Sequence, residues 1–192
     1  MRPGDVLGSF KKKFGASVSK AEITRFENSG VGKADAGGDF SQGFFPVGKK
    51  ASVERLWISV ERYSFKEAVK HLCGLYEMPH FSVIAGCDLG ETIELNYIFT
   101  LGYGTKFGEL CVVLKVALPK KDLVVPTITD LVPAALISER EIQEMLGVKV
   151  QGIPDARRLF LPEEFPKGVF PWRRDSKGPE RLVRNLNREE AK

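Results

Sequence analysis

The side chains able to do chemistry are few and poorly spaced. In 192 residues there are two histidines, His71 and His80, and three cysteines, Cys73, Cys87 and Cys111. His71 and Cys73 stand two apart in a stretch with helical periodicity. Residues at that separation do not share a helix face, so they do not form a zinc-binding or nucleophilic pair. His80 follows Pro79 at the start of a strand-like run and reads as a surface or core-edge residue. The cysteines sit in apolar stretches such as Cys111-Val112-Val113-Leu114 and read as three buried free thiols in a reducing compartment. Three scattered cysteines cannot complete a four-cysteine iron–sulfur site. Gly32-Lys33 lacks the P-loop context, with Glu27 and Ala34 where glycine and Ser/Thr are required. Gly102-Tyr103-Gly104 lies between two strands, the opposite of a dinucleotide-binding context. No catalytic set is expected on this chain.

The remaining chemistry is ionic. Glu139-Arg140-Glu141 is a run of charges in an otherwise apolar helical stretch. Taken alone it reads as a solvated face with ion pairs worth ~0–1 kcal/mol each. Arg157-Arg158 and Arg173-Arg174 suit either phosphate or the carboxylates of a partner protein, which guanidinium groups bind in bidentate fashion.

Elements that would position these groups can be read from periodicity. Val6, Leu7, Phe10 and Phe14 have helical spacing from Asp5 to Phe14, with Gly15 as the stop. Val18–Phe26 and Val53–Val60 read as strands. Residues 27–50 form a glycine-rich loop or insertion holding Phe40, Phe44 and Phe45, placed either to dock on a partner or to pack back on the domain. Ser64–Tyr76 reads as a helix with a Ser64/Glu67 capping box. Three strands follow, Phe81–Cys87, Thr92–Leu101 and Glu109–Leu118, the last two forming a hairpin. A helix is expected from the Thr127–Asp130 turn to Leu146, with Pro133 in its first turn and Gly147 as its stop. Beyond it the sequence has five prolines, many arginines and little regular pattern. The expectation is an α+β fold with a mostly antiparallel sheet, packed helices and an extended, irregular C-terminal tail. The domain spans 1–147 and a partner-binding tail 148–192.

Composition is that of a folded body, 43% hydrophobic and 28% charged, with net charge +4. Residues 149–188 carry ten Lys/Arg against five Asp/Glu. Such a balance favours nucleic acid, an anionic membrane surface or an acidic protein partner. No apolar core of signal-peptide length begins the chain, and no run approaches the ~20 apolar residues of a spanning helix. Work at a membrane would need another subunit as anchor.

Residues 125–175 resemble the signature of the thirty-kilodalton-type subunit of respiratory complex I and its counterparts in membrane-bound hydrogenases and ferredoxin-driven complexes. The matching features are the triplet Glu139-Arg140-Glu141, the acidic spacer at Glu144 and the step Leu146-Gly147. The turn Gly152-Ile153-Pro154-Asp155, the pair Arg157-Arg158, the run Leu159-Phe160-Leu161-Pro162 and the end Trp172-Arg173-Arg174-Asp175 complete it. Phe81–Leu118 also resembles the family's central sheet. Ile153 replaces a histidine usual in the respiratory enzymes, and Leu136-Ile137 replaces an aromatic, which points to a divergent, hydrogenase-like or sulfur-reducing branch.

The resemblance implies a non-catalytic, cofactor-free subunit on the cytoplasmic face of the membrane, in the peripheral arm of an ion-translocating redox complex. It would pack on a large hydrogenase-like or quinone-site-like subunit and a small iron–sulfur subunit, touching the membrane ion-translocating subunits indirectly. Iron–sulfur clusters and a nickel–iron centre would sit on those partners. The interface implied comprises Glu139, Arg140, Glu141, Gly147, Gly152, Pro154, Asp155, Arg157, Arg158, Leu161, Arg173 and Arg174. The alternative is a basic α+β nucleic-acid-binding module.

Overall fold

The computed structural model describes residues 2–27, 52–76, 79–104 and 109–182. Of the glycine-rich stretch, residues 28–50, with Phe40, Phe44 and Phe45, lie outside the described residues.

Helix α1 (Pro3–Phe14) starts with proline at N1, where its missing N–H costs nothing, and Asp5 accepts from the Arg2 N–H at 3.2 Å. Gly15, with φ +49°, ends it. Strands β1 (Val18–Glu27) and β2 (Ser52–Val60) follow, then α2 (Phe65–Leu75), β3 (His80–Asp88), β4 (Thr92–Leu101) and β5 (Leu110–Pro119). The sheet order is β1-β2-β5-β4-β3. All neighbours are antiparallel except β2 and β5, which run parallel. The parallel pair arises because α2 and the β3–β4 excursion separate β2 from β5, so β5 returns in the same sense.

Along β4 burial alternates strictly, with Ile93, Leu95, Tyr97, Phe99 and Leu101 inward. That face meets Val6 and Phe10 of α1 and Phe65, Ala68, Val69 and Leu72 of α2. The opposite face carries half-buried Trp57, Lys115, Glu94 and Asn96. There Trp57 donates to Thr24 at 3.0 Å and Lys115 pairs with Glu94 at 3.1 Å.

Three local expectations give way to the structure. Ser64 makes no capping bond, because Arg62–Ser64 is itself a tight 3₁₀ turn that puts Ser64 in helical φ/ψ. The long helix α3 (Ala135–Leu146) begins later than its sequence suggests. Residues 127–134 fold as successive turns, with the Leu131 and Val132 N–H groups on the Ile128 carbonyl, and Pro133 lies outside the helix. Strands β6 (Val124–Pro126) and β7 (Lys149–Gln151) pair in parallel, although three residues each are too few for periodicity to show. The core continues through Val148 and Val150, both buried. Residues 152–179 are irregular, as the sequence suggests.

The Cys73, Cys87 and Cys111 thiols are free but half-buried rather than buried. His71 meets Ser9 of α1 at 2.8 Å instead of Cys73, between the rings of Phe10 and Phe14. Tyr97 is fully buried against Phe65, ring centroids 4.4 Å apart, and its hydroxyl finds no partner among the described residues. Burial, with the Glu139 carboxylate, pushes its pKa well above the usual phenol value. Tyr97→Phe keeps the ring and removes the unpaired hydroxyl. It is expected to leave stability unchanged or raise it by about 1 kcal/mol in urea unfolding, whereas a paired hydroxyl would give a loss.

Candidate partner interface

Glu139 is fully buried, one turn into α3. Its carboxylate accepts from the Thr127 hydroxyl at 2.6 Å and the Ile128 N–H at 2.7 Å. The Thr127 oxygen in turn accepts from the Thr129 N–H at 3.1 Å. The carboxylate thus fixes the segment entering α3. Burial pushes its pKa up, against the two hydrogen bonds that pull it down. Its charge does not lie on a solvated face, and it offers no surface to another chain.

Arg140, the next residue, turns the other way. Its guanidinium donates to the carbonyls of Arg157 at 2.9 Å and Arg158 at 2.7 Å, and lies 3.5 Å from Asp155. One turn on, Glu144 is buried and accepts from three consecutive backbone N–H groups: Leu159 (3.2 Å), Phe160 (2.8 Å) and Leu161 (3.0 Å). Such converging amides form an anion nest, and here the anion comes from the same chain. Arg158 reaches forward to the carbonyls of Pro162 and Phe165. Asp155 accepts from the Arg157 N–H (3.0 Å) and guanidinium (2.8 Å), and these bonds hold its carboxyl well below the usual range.

A second cluster closes the far end of the tail. Asp88, at the β3–β4 turn, is buried and accepts from Gly90 N–H (3.0 Å), Lys120 (2.8 Å) and, across 86 positions, Arg174 N–H (2.8 Å). Lys120 also pairs with Asp175 at 2.7 Å. Arg173 is buried, donating to Asp175 at 3.0 Å and to the Leu146 carbonyl at the end of α3 at 3.2 Å. Burial opposes the charge on Asp88, but bonds from Arg174, Lys120 and Gly90 outweigh it and its pKa falls. Hydrogen bonding from Arg173 lowers that of Asp175 further. Both carboxyls are more acidic folded than unfolded, so their contribution is present above the unfolded value of about 3.9 and fades as pH falls below it. Asp88→Asn is expected to cost about 2 kcal/mol at pH 7 and less at pH 3. Urea titration at both pH values checks the sign.

The implied interface residues are therefore sorted by the fold. Arg140, Arg157, Arg158 and Leu161 line one cleft with Glu144 and Phe170, and Asp155 lies 3.5 Å from Arg140 beside it. Gly152 and Pro154 line a neighbouring cleft with Lys66, Pro133 and Leu136. Leu136, Arg140 and Glu144 are spaced four apart, so both clefts lie along one side of α3. Glu141 is half-buried on its flank. Gly147, with φ +73°, and Arg173 belong to the C-terminal end of the helix, and Arg174 is held through its N–H by Asp88 at the β3–β4 turn. Glu139 and Arg173 face inward. The side chains of Arg157, Arg158 and Arg173 first serve this chain's own carbonyls and carboxylates, a use that weighing phosphate against partner carboxylates does not anticipate, while Arg174 is bonded through its backbone N–H. Asp88 and Lys120 carry no pattern pointing to Arg174 or Asp175, although Asp88-Leu89-Gly90 is a legible turn signal.

Among the described residues, no three His, Cys, Asp or Glu side chains converge to hold a metal. None of the described helices is long and apolar enough to cross a membrane.

Comparison with known proteins gives this arrangement a family. Over 134 residues the chain is 40% identical to membrane-bound hydrogenase subunit beta of Pyrococcus furiosus, covering 69% of this chain and 76% of that one. It is 29% identical over 133 residues to formate hydrogenlyase subunit 5 of Escherichia coli, covering 65% of this chain but only 23% of that much longer one. In fold it is similar to a chain in the structure of the membrane-bound sulfane sulfur reductase, an archaeal respiratory membrane complex. The TM-score is 0.57 at 18% identity, covering 72% of this chain and 84% of that one. Residues 58–181, from β2 to the end of the described tail, match the family described as respiratory-chain NADH dehydrogenase, 30 Kd subunit, and the chain belongs to that family.

Proposed function

We propose that this protein is a structural subunit of the peripheral arm of a membrane-bound, ion-translocating redox complex of hydrogenase-like or complex I-like type. It packs on the large catalytic subunit and on an iron–sulfur subunit, and meets the ion-translocating membrane subunits only through them. Its place is at the cytoplasmic face of the membrane, peripheral and held by partners. The iron–sulfur clusters and any nickel–iron centre belong to those partners, and this chain binds no cofactor.

The observation that carries the reading is the built tail. The Glu144 carboxylate and the Arg140 guanidinium hold an irregular loop against α3, Arg158 ties that loop to its own carbonyls, and the far side is left exposed. Two relatives support the choice of partners. The Pyrococcus protein is named as a hydrogenase subunit. In the Escherichia protein the matching module is less than a quarter of one polypeptide, which supports a role beside a much larger chain. The nucleic-acid reading is the second choice: Arg140, Arg158 and Arg173 are committed to groups of their own chain, whereas Arg157 stays exposed.

Deleting the gene in the native host tests the proposal. The expected result is loss of the complex's membrane-associated redox activity and release or degradation of the large subunit, while the purified chain alone turns over no substrate. An intact, active large subunit on the membranes of the deletion strain would overturn it.

A further inference from the structure

We propose that Phe160 is the aromatic anchor by which this chain docks on the large subunit, and that Glu144 is the positioning residue that presents it. The inference rests on the partner reading above and names the contact within it.

Phe160 is 60% exposed, between half-buried Leu159 and Leu161. An exposed phenylalanine on a mobile loop would say little. This one has its own N–H bonded to Glu144 at 2.8 Å, and both neighbouring N–H groups end on the same carboxylate. On the N-terminal side Arg140 pins the carbonyls of Arg157 and Arg158, and on the C-terminal side Arg158 pins those of Pro162 and Phe165. The backbone at Phe160 is thus fixed from both directions by charged side chains, without a strand or helix. A loop built only to cover α3 would turn its largest apolar side chain inward. Here the inward positions go to the leucines and the ring is held out toward solvent. A rigid, exposed aromatic loses little freedom on docking, which is what interface anchors require.

Charge indicates what surrounds the socket. The Arg157 side chain is 84% exposed beside the loop, with one edge satisfied by Asp155. The tail as a whole is basic, ten Lys/Arg against five Asp/Glu over 149–188. The matching surface is an apolar pocket with carboxylates at its rim. The large subunit is chosen over the iron–sulfur subunit or a second copy of this chain because the long relative carries the module in one polypeptide with a much larger remainder.

The test uses the tagged full-length chain expressed in its native host. With p-benzoylphenylalanine at position 160, ultraviolet irradiation of membranes should join this chain to the large subunit. Phe160→Ala should reduce recovery of the large subunit about 10- to 30-fold, with amide exchange of the free chain unchanged. Glu144→Ala should speed exchange at 159–161 and reduce recovery although Phe160 is present, and Glu144→Gln, which keeps one acceptor oxygen, should restore part of both. Normal recovery with Phe160→Ala, or an adduct on any other chain, would overturn the anchor and leave the subunit reading standing. Failure of the wild-type chain to recover the large subunit would overturn both.

Discussion

Replacing Glu139 by alanine is expected to lower folding stability by about 3 kcal/mol. The substitution strips the acceptor from two buried donors, the Thr127 hydroxyl and the Ile128 N–H. Each bond to a charged group is worth about 1.5–3 kcal/mol, and the lost volume leaves a cavity under α3. Part of this is offset, because a buried carboxylate is itself costly to ionise. Glu139→Gln separates the two effects. Glutamine keeps an oxygen for Ile128 and can donate to Thr127, whose own proton is then free to turn to Thr129, 2.8 Å away. Its loss should stay below about 1 kcal/mol.

The pH dependence fixes the sign of the remaining term. The pKa of Glu139 is raised in the folded state by burial. Its contribution is fully present below the unfolded value and declines as pH rises through the folded one. The wild type should therefore lose ground to Glu139→Gln as pH rises above the unfolded value of about 4.3. Urea unfolding at several pH values checks both claims. An alanine variant as stable as the wild type would mean that the carboxylate does not organise the entry to α3.

Gly147→Ala is the second large effect, also about 3 kcal/mol. Gly147 ends α3 in the left-handed region at φ +73°, where its N–H still reaches the Gln143 carbonyl at 3.1 Å. A side chain there costs about 1–2 kcal/mol in backbone strain. A Cβ would also lie 2.6 Å from the Phe170 ring, a contact with no slack. Relieving it means turning the Phe170 ring away from the helix end, which gives up its packing there. Trp172, bonded through its N–H to the Met145 carbonyl, provides the readout. In a Trp57→Phe background its fluorescence should shift toward that of a solvated indole at lower urea than in the parent. A shift of less than about 1 kcal/mol would show that Phe170 does not pack on the helix end.

Much of the frame was legible because it rests on local signals. Alternation in β4, the helical spacing of Val6 and Phe10, and Gly147 as a stop each follow from their immediate neighbours. The sequence resemblance pointed to the family but not to the environments of its side chains. In Glu139-Arg140-Glu141 three consecutive charges go to three different environments. Helix geometry turns each by about 100°, and only tertiary packing decides that the first turns inward, the second toward the tail and the third to the flank. Glu144 reads only as the acidic spacer of the signature, and nothing in the sequence shows that three amides from fifteen to seventeen positions away converge on it. Asp88 and Arg174 stand 86 positions apart with no pattern linking them. The segment entering α3 is held by a contact of the same kind: Glu139, one turn inside the helix, accepts from Thr127 and Ile128, and a one-dimensional reading of caps and prolines does not contain that contact.

The most direct test of the subunit assignment is affinity capture of the tagged chain from gently solubilised native membranes, with mass spectrometry and iron and nickel analysis of what is retained. The account predicts recovery of a large hydrogenase-like or quinone-site-like subunit, an iron–sulfur subunit and multi-spanning membrane proteins, with iron in the retained complex. Recovery of the chain alone, or with nucleic acid and no redox subunit, would contradict it.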